Sequence, residues 1–147
     1  MFGCATDTDP STWKPGQILS ERKVSRGNGF HELYTEVVNP EGHWEGVGHF
    51  AYVYFKDELL CQCTFSDLIF SPDQKFALYI GDKNGELSLL NVSTSLISQL
   101  SKKYIGHPYE AEWNLTQNRV TAYLEKWNEE LKSHEKFEYN FEIQKGI

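Results

Sequence analysis

Residues 64–95 read TFSDLIFSPDQKFALYIGDKNGELSLLNVSTS, and this stretch decides how the rest of the chain is read. Its apolar runs are short: Asp67 to Ser71, Phe76 to Gly81 and Glu86 to Val92. Pro72-Asp73 separates the first pair and Asn84-Gly85 the second. Short runs rich in Phe, Ile, Leu and Tyr, bounded by Pro, Asn, Asp and Gly, form strands. Asn-Gly supplies the positive φ that a tight hairpin requires. The segment is therefore predicted to be an antiparallel meander.

Upstream, Gln17 to Val24 is a weak strand, and Arg26-Gly27-Asn28-Gly29 turns it into a stronger one from Phe30 to Val38. Asn39-Pro40-Glu41-Gly42 is a further turn, followed by the glycine-spaced stretch His43 to His49. From His49 to Phe55 both alternating faces are apolar, Phe50, Tyr52 and Tyr54 on one and Ala51, Val53 and Phe55 on the other. A strand covered on both sides has that pattern. Leu59, Cys61, Cys63 and Phe65 then share a face, which points both cysteines at the core.

Downstream the period changes. Leu96, Ile97, Leu100 and Tyr104 are spaced for a short helix that stops at Gly106 and Pro108. A longer helix is predicted from Leu115, with Asn114 as its cap, Gln117 completing a capping box, and Val120, Tyr123, Leu124, Trp127 and Leu131 as its buried stripe. Phe137, Tyr139, Phe141 and Ile143 alternate with polar residues, as in a final strand with one wet face. The expected fold class is α+β: an antiparallel sheet of six to eight strands, two C-terminal helices packed on one face, and a final β-strand.

A chain of 147 residues fits one domain spanning 1–147, with the polar, Pro-containing residues 1–14 as a lead-in. Three cysteines, two of them one residue apart, argue against a disulfide framework and for free thiols. No run approaches the roughly 18 apolar residues of a membrane span, and the first ten residues are too polar for a signal peptide. The expected location is cytoplasmic, with no membrane partner.

Residues 64–95 resemble one blade of a WD-repeat propeller, in which a Phe-Ser-Pro-Asp turn, a glycine turn and an apolar strand follow one another. A propeller needs roughly four to eight such blades, and nothing else in the chain repeats the pattern. The resemblance therefore implies a meander and no ring.

Charge carries the functional signal. Between Arg26 and Lys75 lie eight acids, Glu32, Glu36, Glu41, Glu45, Asp57, Glu58, Asp67 and Asp73, against the single base Lys56, while the net charge of the whole chain is -7. Such a region attracts cationic partners and repels nucleic acid and anionic lipid. On the strand Phe30 to Val38, Glu32, Tyr34 and Glu36 alternate onto one face, where a tyrosine between carboxylates suits Arg and Lys. Trp44, set between Glu41 and Glu45, extends the surface, and Asp57 and Glu58 add charge at the next turn. These eight residues, Glu32, Tyr34, Glu36, Glu41, Trp44, Glu45, Asp57 and Glu58, are the predicted partner-binding set.

Catalytic and cofactor motifs are missing from the sequence. No Gly-rich strand-to-helix turn binds nucleotide, no serine lies in a nucleophile elbow, and His43, Glu45 and His49 lack a recognised metal-ligand spacing. Neither a catalytic residue nor a cofactor is expected. In size, acidity, single-domain build and lack of catalytic motifs the chain resembles bacterial toxin-immunity proteins. That resemblance implies a cytosolic protein that neutralises a basic toxin domain, for example a nuclease. The competing expectations are a small-ligand or hydrolytic site between sheet and helices, opened by Gly42 to Gly48, and an adaptor subunit of a larger assembly.

Overall fold

A computed structural model describes residues 12–39 and 46–143. They form eleven strands and no α-helix, arranged as three antiparallel sheets of four, four and three strands. The chain divides into two compact units after Phe65.

The first unit holds β1 (Ile18–Gly27), β2 (Phe30–Val38), β3 (Val47–Phe55) and β4 (Glu58–Cys61), paired in chain order. Its hairpins turn at residues with positive φ. Asn28 and Gly29 (φ 53° and 89°) join β1 to β2, and Lys56 and Asp57 (φ 47° and 67°) join β3 to β4. Both pairs match the two-residue turn whose twist fits antiparallel strands. Phe30, Val53, Phe55 and Leu60 are buried, and Phe30 packs against Phe55 and Phe65 at centroid distances of 4.7 and 5.5 Å.

The cysteines depart from expectation. Cys61 and Cys63 are joined as a disulfide rather than kept as free thiols. The chain bends at Gln62 and Cys63, and their Cα atoms stand 5.3 Å apart, within bridging range.

The second unit begins with the meander β5 (Ile69–Phe70), β6 (Phe76–Ile80), β7 (Leu87–Asn91) and β8 (Leu96–Gln99). Its first turn is locked by side chains. Ser71 Oγ donates to Asp73 Oδ1 (2.6 Å) and accepts from the Phe76 N–H (3.1 Å), while Asp73 Oδ1 also accepts from the Lys75 N–H (3.1 Å). The unit continues with β9 (His107–Asn114), β10 (Arg119–Asn128) and β11 (Ser133–Glu142), β10 lying in the middle. Leu78 of β6 and Leu87 and Leu89 of β7 pack against Val120, Ala122 and Leu124 of β10, closing a two-sheet core with Ile143.

Both expected C-terminal helices, and with them the α+β class and the single six-to-eight-stranded sheet, are overturned. The segment from Leu96 is the edge strand β8, reached through a turn in which Asn91 Oδ1 accepts from the N–H groups of Ser93 and Thr94 (3.0 and 3.2 Å). The capping signal at Asn114 is real but drives one 3-10 turn, Leu115–Gln117. Asn118 then adopts the left-handed conformation at φ 54°, which ends the turn and starts β10. Val120 and Leu124, four apart, fit a helical face and an alternating strand equally well. Ala122 between them, fully buried, decides for the strand, whereas Trp127 and Leu131 are 48% and 66% exposed.

Candidate functional site

On the face of β2 that carries Glu32, Tyr34 and Glu36, arginines of β1 engage the first two residues. Antiparallel register sets Arg22 opposite Tyr34 and Val24 opposite Glu32. Arg22 lies over the Tyr34 ring at 4.8 Å, a cation-π contact made within the chain. The Glu32 side chain is buried and ion-paired to Arg26, and its second oxygen accepts from the Phe65 N–H at 2.7 Å. Burial by itself would raise the Glu32 carboxyl. The hydrogen bonds from Phe65, Tyr34 and Arg26, with the Arg26 charge, outweigh it and leave the group below its ordinary value. Glu32 and Tyr34 thus serve this internal network.

Of the other predicted residues, Glu36 is half-buried at the level of His49, and Asp57 and Glu58 are exposed at the β3–β4 turn. Glu41, Trp44 and Glu45, and His43 of the weighed metal cluster, lie outside the described residues. Among the described residues no three His, Cys, Asp or Glu side chains converge in a metal-binding group.

A tyrosine among carboxylates does occur, on the third sheet. Tyr123, on the middle strand β10, has Glu110 of β9 and Glu138 of β11 as its direct cross-strand partners. Direct partners in an antiparallel pair point to the same side. The Tyr123 hydroxyl donates to Glu112 Oε2 at 2.9 Å. That hydrogen bond first, then burial and the charges of Glu112, Glu138 and Glu110, raise the phenol above its ordinary value. Glu110, Glu112 and Glu138 are exposed, and none of them is ion-paired among the described residues.

The alternation of β10 produces this face. Val120, Ala122 and Leu124 take the core side, so Thr121, Tyr123 and Glu125 must take the other. Chain reading missed it because the three carboxylates come from two strands on either side of β10, and bases such as Arg119, Lys126 and Lys136 intervene in the sequence. The usable signal was the period-two run Glu110, Glu112 and Glu138, Asn140, Glu142 beside aromatic neighbours.

Next to Glu112 the same sheet carries a depression of about 380 Å³. Asn114, Gln117, Arg119, Thr121 and Asn140 line it with Glu112; Trp113 borders it too, but as the direct partner of Val120 it turns its indole to the core side of the sheet. Trp113 also stacks on Phe76, with ring centroids 6.2 Å apart.

No family model matches this chain, and no curated protein or solved structure matches it either.

Proposed function

We propose that this is a binding protein for a cationic protein partner, and that the partner docks on the exposed face around Tyr123. In its most concrete form the protein is an immunity protein that blocks a basic toxin domain. One observation carries the proposal: Tyr123 is set between Glu110 and Glu138 and hydrogen-bonded to Glu112, and among the described residues these acids make no direct ion pair. The rigid ring offers contact area and a π face, and the carboxylates accept guanidinium or ammonium groups. The negative charge of -7 adds long-range attraction for a basic partner.

The test is association of the full chain with a basic toxin domain, followed at low and at high salt. Replacing Glu110 and Glu138 by Lys is expected to slow association about 10-fold at low salt and to leave the melting temperature nearly unchanged. High salt should erase most of the difference. An equal loss from D57K and E58K, with none from the Glu110 and Glu138 variants, would move the interface to the first unit. Failure to bind any basic domain at low salt would overturn the proposal.

A further inference from the structure

The depression beside Glu112 is a second site on the same sheet. Its side chains, Arg119 apart, are tied by hydrogen bonds. Asn114 Oδ1 accepts from Thr116 Oγ1 (2.9 Å) and the Gln117 N–H (3.3 Å), and its Nδ2 donates to Gln117 Oε1 (3.1 Å). The Thr121 hydroxyl donates to Asn140 Oδ1, and Glu112 is fixed by Tyr123. Groups immobilised in this way lose little freedom when a ligand arrives.

What these bonds leave over defines the ligand. Among the described residues the Arg119 guanidinium, Gln117 Nε2 and Asn140 Nδ2 have no acceptor, and Glu112 Oε1 has no donor. The depression therefore presents several donors and one charged acceptor. A cation would face Arg119. An anion would face Glu112, together with Glu142, the direct cross-strand partner of Arg119. A neutral molecule whose groups both donate and accept satisfies the whole set, and hydroxyls are such groups. A volume of about 380 Å³ lies at the small end of ligand sites, which run roughly from 300 to 1,000 Å³.

We propose that this depression binds a neutral sugar, one or two rings in size, with Arg119, Gln117 and Asn140 donating to its hydroxyls and Glu112 accepting from them. The site shares Glu112 with the proposed docking face but differs from it in the rest: it uses Arg119, Gln117 and Asn140, and it needs neither Glu110 nor Glu138.

The experiment is an NMR titration of the full chain with four neutral disaccharides, maltose, cellobiose, lactose and chitobiose, and separately with inorganic phosphate and with spermidine. At least one disaccharide should shift the side-chain amides of Asn114, Gln117 and Asn140, saturating at or below about 10 mM, the weak end of specific binding. Arg119→Ala and Asn140→Ala should each weaken that binding about 10-fold or more. Both residues are exposed, so these variants should keep the wild-type backbone spectrum. Glu110→Lys with Glu138→Lys should leave sugar binding unchanged, which separates this site from the docking face. No shift with any disaccharide, or shifts at these amides with phosphate or spermidine alone, would overturn the assignment.

Discussion

Glu32 is buried, with Arg26 as its counter-ion and the Phe65 N–H as a donor, and a carboxylate so placed couples folding to pH. Its folded value lies below the ordinary glutamate value of about 4.5. The group therefore adds stability above that value, and the contribution is lost as pH falls through the lower, folded value. Glu32→Gln is expected to cost on the order of 2 kcal/mol at neutral pH. Urea unfolding from pH 7 to pH 3 should show the gap between variant and wild type narrowing below about pH 4. A gap independent of pH would mean that shape, and not charge, matters there. Tyr123 makes the opposite case, a phenol whose value is raised by Glu112 first. Its ionisation, isolated as the difference in ultraviolet titration between wild type and Tyr123→Phe, should have a midpoint above about 10, and Glu112→Gln should lower that midpoint.

At the scale of elements, β10 carries the instructive mismatch. An i, i+4 pair of apolar residues does not distinguish a helix from a strand, and the small Ala122 adds little apparent hydrophobicity to the pattern. In the structure Leu124 is fully buried and Trp127 half-exposed, its ring edge-on to His134 at 5.2 Å. The two folds therefore make different predictions for two variants. Leu124→Ala should destabilise by about 2–5 kcal/mol, and Trp127→Ala by under about 1 kcal/mol. Comparable large losses at both positions in chemical denaturation would restore the helical stripe. β2 and β3 were legible because their signals were local: a Gly-Asn-Gly turn, period-two alternation and a doubly apolar run. The helix-like spacing after Thr94 was misleading because Leu96 and Ile97 lie on an edge strand, exposed by 49% and 38%.

For the whole molecule, charge counted along the chain and charge counted in space point to different places. Residues 1–65 hold nine acids and five bases, residues 66–147 twelve acids and nine bases. The first segment is the more unbalanced, yet Arg22 lies over its Tyr34 and Arg26 pairs with its Glu32, whereas in the second segment Tyr123 lies among carboxylates that make no ion pair among the described residues. The second unit also contains a complete core, with Leu78, Leu87, Leu89, Val120, Ala122 and Leu124 all drawn from residues 66–147. Residues 66–147 expressed alone should accordingly give a β-type circular dichroism spectrum and a single cooperative urea transition, with a slope of about 1 kcal/mol/M or more. A broad, non-cooperative transition would show that this core does not suffice.

The sequence by itself determined the acidity, most of the described turns and most of the strands in the first 92 residues. Those properties depend on neighbours within a few positions or on composition, so they can be read in chain order. Tertiary structure alone decided that the C-terminal third is sheet, because β10 is held by hydrogen-bonded partners on both sides, β9 and β11, and buries its even-numbered face on β6 and β7. It also decided which tyrosine is available: cross-strand register brings arginine to Tyr34 and glutamate to Tyr123, and register is a property of pairing that no single strand contains.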